Sequence, residues 1–365
     1  MTCPGIPTGS TRALGLLAVG VALVTAGCSH GAPGAFAVAR SRPVAYRVLY
    51  RVDQPSAKPT SVRWEELTVR RPFTARKAAF PQRPAGQRPD GGTLATVDRL
   101  YAIQSGGAMQ EAAGRQPGPP TGDQALGPEL AAAVARRLAR PAGTGVVAGR
   151  RCREYRFLEP PVGPIKRLAG RDHDLVCIDE AGLVLREAWT LHGRLVLHRQ
   201  AVRVVVDPPA VDHELDPAGA APSPNPAAVP SAEPASGDGS VIAAPAPPAG
   251  FAGAAVDRFV LPGPQQQPGE PPPVLYTSTV WAFARGPDAV TVEVGSTPSG
   301  NLPWNDADAS EPVALPIGSA RSVLRNDGPE LRVDLGGGRW LRVRGTVPPG
   351  QLEAYARASL HLRST

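Results

Sequence analysis

The chain has 365 residues, a formal net charge of +7 and only 5% aromatic residues, against 43 Pro and 40 Gly. This length leaves room for two domains of ordinary size together with a signal and linkers. A basic chain can bind nucleic acid, but an exported basic domain meets anionic lipid headgroups or acidic cell-wall polymers instead. Scattered arginines also occur on solvated strand faces. We expect no nucleic-acid partner.

The N-terminus has the three parts of a secretory signal. A polar leader ends at Arg12, an apolar run covers residues 13–24, and the small residues 25–27 precede Cys28. The apolar run is too short to span a bilayer, which needs about 20 residues, but it suits the core of a signal peptide. No later segment approaches a transmembrane length.

The residues that end at Cys28 resemble the lipobox of bacterial lipoproteins, although Thr25 stands where that motif usually has Leu. The resemblance implies that the Cys28 thiol is diacylated, with palmitate as a typical acyl group, and that the signal peptide 1–27 is removed. Two acyl chains anchor a protein stably in a membrane, whereas a single chain gives only marginal binding. Residues 28–42 are then a tether on the extracytoplasmic face of the cell membrane. The alternative is an ordinary secretory signal that leaves Cys28 free.

Cys152 and Cys177 are the cysteines that follow this signal. An exported protein meets an oxidising compartment, which favours a disulfide bond between them. The bond closes a loop of about 25 residues, worth a few kcal/mol in the chain-entropy description. Two cysteines without a nearby pair of histidines do not make a zinc site. We therefore expect a structural disulfide, no metal and no cofactor.

The region 43–207 is predicted to be a mainly β domain. One stretch, residues 126–140, has the apolar period of a helix, with Pro128 in its first turn and Pro141 after its end. We interpret it as a helix that covers the core. The strand-like runs of the region are 44–52, 61–70, 73–80, 93–103, 144–158, 173–179, 183–191 and 195–206.

Residues 208–250 are dominated by Ala, Pro, Ser, Gly and Asp, and are predicted to be a semi-extended linker because they bury too little apolar surface to order themselves. A small β-rich domain is predicted for residues 251–365, and a helix at 349–360 ends it. Its predicted strands are 256–261, 274–284, 289–294, 313–317, 320–324, 331–335 and 340–345.

Two parts of the chain resemble known families. Residues 147–155 and 177–186, the latter with an Asp-x-x-Gly turn from Asp179, resemble the second half of LolA-like lipoprotein-carrier domains. Residues 248–251, 280–292 and 343–349 resemble the small domain of the RseB/MucB sigma-factor regulators.

The first resemblance implies an antiparallel half-barrel, wrapped around helices, whose concave face holds acyl chains or senses mislocalised lipoproteins. The second implies a small domain that binds a transmembrane anti-sigma factor. The chain departs from both patterns. The regulators are usually free periplasmic proteins, and LolA-type cavities are often richer in aromatic residues.

Catalytic motifs are missing from the sequence. It has no Gly-x-Ser-x-Gly, no His-Glu-x-x-His and no phosphate-binding loop. The most polar cluster, Asp172, His173 and Asp174, could form a general-base or metal corner, but such a triplet more often caps a loop. We predict that the chain is not an enzyme.

Apolar strand positions of the half-barrel are the residues expected to line a ligand site. Each of them can equally be ordinary core. They are Tyr46, Leu49, Trp64, Leu67, Leu100, Leu185, Trp189 and Leu197.

These observations predict a non-enzymatic, membrane-anchored lipoprotein of the cell envelope that binds or senses a lipid, an acyl chain or an acylated protein. The alternative is an envelope-stress regulator that binds an anti-sigma factor through its C-terminal domain.

Overall fold

A computed structural model of the chain describes residues 43–55, 61–114, 128–137, 139–157, 173–191, 193–209, 212–222, 233–234, 244–262, 273–304, 310–325 and 328–361. The predicted signal peptide, Cys28, the tether and Asp172 lie outside these residues.

The described strands form two antiparallel sheets, which confirms the prediction of a mainly β protein. The first contains β1 (Ala45–Gln54), β2 (Ser61–Arg70), β3 (Thr74–Phe80), β4 (Gly91–Ala95), β5 (Arg99–Ile103), β6 (Met109–Gly114), β7 (Ala139–Val147), β8 (Arg150–Phe157), β9 (His173–Asp179), β10 (Val184–Leu191) and β11 (Arg194–Val206). The second contains β12 (Glu233–Pro234), β13 (Ala252–Pro262), β14 (Val274–Arg285), β15 (Asp288–Ser296), β16 (Ser310–Leu315), β17 (Gly318–Arg325), β18 (Gly328–Gly336) and β19 (Arg339–Gly345). The helices are α1 (Pro128–Ala135) and α2 (Pro349–Ser359).

Strand β1 lies in the middle of the first sheet, whose order is β6-β5-β4-β3-β2-β1-β11-β10-β9-β8-β7. Its alternate residues Tyr46, Val48, Tyr50 and Val52 are at most 1% exposed and belong to the core cluster of this sheet. Because successive side chains of a strand point to opposite faces, Leu49 and its neighbours Arg47 and Arg51 lie on the other face. The two faces of β1 therefore differ sharply in polarity.

The disulfide between Cys152 and Cys177 joins β8 to β9, with an Sγ–Sγ distance of 2.08 Å. The predicted Asp-x-x-Gly turn connects β9 to β10. Its Asp179 carboxylate accepts hydrogen bonds from the backbone N–H groups of Ala181 and Leu183, at 3.0 and 2.8 Å. Both features hold the far half of the first sheet together.

The second sheet has the order β12-β13-β14-β15-β19-β18-β17-β16 and buries one apolar face. The terminal helix α2 contributes Leu352, Tyr355 and Ala356 to that face, as the sequence predicts. On the opposite face, Gly295 leaves room for the indole of Trp340, since a Cβ at Gly295 would lie 2.3 Å from Trp340 Cζ2.

Three predicted elements of the first region are wrong in extent. The helix has Pro128 in its first turn as expected but ends at Ala135 rather than Arg140, because Arg137 has a left-handed φ of 59° and β7 starts two residues later. The predicted strand 144–158 covers parts of two strands, β7 and β8, because the chain turns at Ala148 and Gly149, which both have positive φ. The predicted strand 93–103 is also two strands, β4 and β5. The Arg99 N–H donates to Thr96 Oγ1 at 3.2 Å and closes the turn between them.

Helix α1 contacts both sheets. It touches β7 in the first, and it touches β17, β18 and α2 in the second. Arg136, just after the helix, donates to Glu311 Oε2 at 3.0 Å and to Ser322 Oγ at 3.2 Å. The helix that the sequence assigns to the half-barrel core thus also packs on the second sheet.

Part of the predicted linker packs against the first sheet. Leu215 shares an apolar cluster with Ala45 and Leu94, and Glu214 Oε1 accepts a hydrogen bond from Arg47 Nη2 at 2.6 Å. The predicted limits of the two domains stay a prediction. Within the part of the chain described, no helix is long and apolar enough to cross a membrane.

Candidate ligand pocket

A cavity of about 280 Å³ lies on the face of the first sheet that carries Leu49. Leu49 stands opposite Arg203 of β11 on one side and opposite Glu66 of β2 on the other. Directly opposite residues of an antiparallel pair share a face. These three residues therefore form a row across the floor of the cavity.

The walls come from neighbouring strands and from the loop between β3 and β4. Phe80 ends β3, Val205 lies near the end of β11, and the loop contributes Pro84, Gly86 and Gln87. Gly86 has a φ of 83°, a conformation that glycine adopts without steric cost.

The loop is held at two points beside the cavity. The Arg83 guanidinium lies 5.8 Å from the centre of the Trp64 ring, within the range of a cation–π contact. At the other end, the Asp90 N–H donates to the Ala79 carbonyl oxygen at 2.8 Å. The loop between β3 and β4 therefore lines the cavity and is fixed to the strands that form its floor.

The charged groups of the cavity do not balance. Arg47 is paired with Glu214 at 2.6 Å, and Glu66 lies 3.9 Å from Arg76 Nη1. Arg203 is exposed and has no carboxylate within 4.0 Å among the residues that the structure describes. The cavity therefore carries one guanidinium whose charge is not compensated.

The size and layout of the cavity suit a small amphiphile. Ligand pockets usually have volumes of about 300–1,000 Å³, so this one is at the lower limit. From β11 to β3 it crosses three interstrand spacings, about 14 Å. Apolar Phe80 and Pro84 stand at the β3 end, and Arg203 stands at the β11 end.

The predicted lining residues do not come together in one site. Leu49 lines the cavity, and Trp64 lies on the same face beneath Arg83. Tyr46, Leu67 and Leu185 have no exposed surface and belong to the core cluster, against which Leu197 packs. Leu100 and Trp189 are partly buried and belong neither to the lining of the cavity nor to the core cluster. Their role as ligand contacts stays a prediction.

An ionic cluster occupies the core face of the same strands. Glu65 is 2% exposed and lies 2.9 Å from Arg63 Nη2, 3.2 Å from Lys77 Nζ and 3.4 Å from Arg199 Nε. The Arg199 guanidinium in turn lies 3.8 Å from the centre of the Tyr50 ring. One buried carboxylate therefore has three cationic neighbours.

The polar triplet that the sequence singles out contains one perturbed group. Burial raises the pKa of Asp174 to about 8, and the nearby Glu187 carboxylate contributes to the rise. The raised pKa favours the protonated form of Asp174 near neutral pH. Within the described segments, no three His, Cys, Asp or Glu side chains are grouped as metal ligands.

Sequence reasoning missed most of the cavity. Arg47 could be predicted as a lining residue, because the alternation of side chains along β1 puts it on the same face as Leu49. Arg203 and Phe80 could not be predicted as lining residues, because strand pairings and a loop conformation bring them to the cavity, and no local sequence pattern reveals these.

No protein-family model and no curated protein matches the sequence. Among solved structures, a chain of the Pseudomonas aeruginosa MucA/MucB complex has 15% identity and a TM-score of 0.31, over 88% of this chain and 94% of that chain. LprF from Mycobacterium bovis has 14% identity and a TM-score of 0.27, over 46% of this chain and 90% of that chain.

The LolA superfamily protein NE2245 from Nitrosomonas europaea has 10% identity and a TM-score of 0.22, over 49% of this chain and 92% of that chain. The solved structures thus include both groups of proteins that the sequence resembles. Their identities and TM-scores are low, so the likeness carries no conclusion about a ligand or an activity of this chain.

Proposed function

We propose that this chain is a non-enzymatic protein of the cell envelope that binds or senses a lipid or an acylated protein through the cavity on its first sheet. Cys28 tethers it to the outer face of the membrane. The cavity is the observation that supports the proposal, because it combines apolar Leu49 and Phe80 with cationic Arg203.

Energetics favour this cavity over the core face of the sheet as the binding site. Burying a methylene group stabilises a complex by about 0.8 kcal/mol, provided that an open space receives it. Side chains such as Tyr46 and Leu67 fill the core face and have no exposed surface. A ligand there would first have to displace packed side chains, whereas the cavity at Leu49 is already open.

Filling the cavity tests the proposal. The test uses the full chain with Cys28→Ser, which removes the acylated thiol, and isothermal titration calorimetry with sodium dodecanoate. We expect the Leu49→Trp variant to bind at least about tenfold more weakly, a loss of about 1.4 kcal/mol, because the indole occupies the space of the ligand.

The control is Val146→Trp, which adds the same indole to a β7 position that is 68% exposed and outside the cavity. Dodecanoate binding by this control should equal that of the parent chain. Equal affinity of the parent chain and Leu49→Trp would contradict the proposal.

The alternative role, binding of an anti-sigma factor, is supported by one feature of the second sheet. Strand β16 ends the sheet and pairs on one side only, with β17, among the described strands. Sheet edges can accept a strand from a partner. Failure of the membrane-anchored chain to capture a transmembrane regulator from its own membrane fraction would count against this role.

A further inference from the structure

We infer that the cavity selects amphiphiles with a single anionic headgroup and that Arg203 is the residue that contacts this headgroup. This inference rests on the proposed function and narrows it to one chemical class of ligand. The cavity has one arginine without a carboxylate neighbour in the described part of the chain, and its polar and apolar groups lie at opposite ends.

The pairing of charges leaves Arg203 as the cation available to a ligand. The Arg47 guanidinium donates to Glu214 at 2.6 Å, so its charge is compensated within the chain. Glu66 has Arg76 as its neighbour at 3.9 Å. Arg203 has no such carboxylate in the described part of the chain, and its exposed side chain is accessible to a ligand from solvent. Charge-assisted hydrogen bonds between a guanidinium and an oxyanion are among the stronger polar contacts.

Arg47 is a second arginine that lines the cavity. Arg47 Nε is buried and has no hydrogen-bond partner. Arg47 stands two residues before Leu49 on the same face of β1, so both cationic side chains border the floor.

The order of groups along the cavity fixes the orientation of the ligand. The cationic end is at β11, and apolar Phe80 and Pro84 stand about 14 Å away at β3. Glu66 lies between them and repels a second anionic group in the middle of the cavity. The layout therefore fits one anionic headgroup at Arg203 and one apolar chain that extends toward Phe80.

The experiment compares probes that differ only in the headgroup, using the same Cys28→Ser full chain and calorimetry. The probes are dodecanoate, dodecyl phosphate, 1-dodecanol and dodecyltrimethylammonium, with acetate as a headgroup without a chain. We expect both anionic probes to bind about tenfold more tightly than 1-dodecanol. We expect acetate to show no measurable binding, and we expect the advantage of the anionic probes to shrink at high ionic strength because Arg203 is exposed.

Substitutions of Arg203 decide the assignment. In Arg203→Gln, dodecanoate and 1-dodecanol should bind equally, whereas Arg203→Lys should retain part of the preference because it keeps the charge. Arg194→Gln removes an exposed arginine from the same strand outside the cavity, and it should leave the preference unchanged.

The outcomes separate the inference from the proposed function. Equal affinities for dodecanoate and 1-dodecanol in the parent chain would overturn the inference and leave the proposed function standing. A preference that survives Arg203→Gln would overturn the role of Arg203. If none of the long-chain probes binds, the proposed function itself fails.

Discussion

The two sheets bury charged groups in different ways. In the second sheet two buried carboxylates pair with guanidinium groups: Glu293 pairs with Arg342 at 2.5 Å, and Glu330 pairs with Arg332 at 2.5 Å. In the first sheet Glu65 has three cationic neighbours, and Arg203 on the other face has no carboxylate nearby among the described residues.

This difference separates a structural role of charge from a binding role. The two ion pairs of the second sheet form within the chain, between side chains that are at most 11% exposed. The first sheet has an excess of positive charge beside an open cavity, where an anion from outside can compensate it. Substitutions in each sheet test the two halves of this comparison.

Breaking a balanced pair should cost the most stability. Glu293 is 1% exposed, and its loss in Glu293→Leu leaves the Arg342 guanidinium buried without its main anion. We expect the free energy of unfolding in urea to fall by about 3–5 kcal/mol, and the added change Arg342→Met to recover most of it.

The matched control for this pair is Glu353→Leu, which removes a carboxylate from the half-exposed pair of Glu353 and Arg357 on α2. Such surface pairs are worth about 0–1 kcal/mol. A loss at Glu293 no larger than the loss at Glu353 would show that the buried pair is not a structural element of the second sheet.

Removal of the disulfide should have the next largest effect, and it should act on the first sheet. The bond joins β8 and β9 across a sequence separation of 25 residues. We expect Cys152→Ala with Cys177→Ala to lower the free energy of unfolding by about 3 kcal/mol, because the unfolded chain regains the entropy of that loop. The same shift should follow reduction of the parent chain, and unequal shifts would point to strain introduced by the substitutions.

A further effect, confined to one pH window, is the dependence of stability on the protonation of Asp174. Its pKa rises from 3.8 to about 8 in the folded chain. The folded state therefore holds more protons than the unfolded state in this window, so stability decreases as pH rises from about 4 to about 8. We expect Asp174→Asn to raise Tm at pH 8 and not at pH 4, because the amide replaces a buried carboxylate that is charged only at the higher pH.

Glu180→Gln removes an exposed carboxylate from the turn after β9 and serves as the control. Its Tm should follow the parent chain at both pH values. A Tm of Asp174→Asn that follows the parent chain in the same way would contradict a protonated Asp174.

Much of the fold could be predicted from the sequence, but little of the cavity could. The alternation of apolar and polar residues predicted both ends of β2 correctly. The spacing of apolar residues predicted the start of α2 and placed its end one residue too late. The helix α1 was overextended because arginines favour a helical end, whereas the backbone turns at Arg137. The cavity depends on the pairing of β11 with β1, between residues more than a hundred positions apart in the chain, and on the loop that follows Phe80. The spacing of apolar residues within a short stretch of sequence does not predict such contacts.

Native mass spectrometry of the chain purified from its own envelope tests the central claim most directly. We predict that the parent chain retains an anionic amphiphile as an added mass that organic extraction removes, and that Leu49→Trp from the same envelope lacks it. An equal added mass in both chains, or none in the parent chain, would contradict the assignment of the cavity as the binding site.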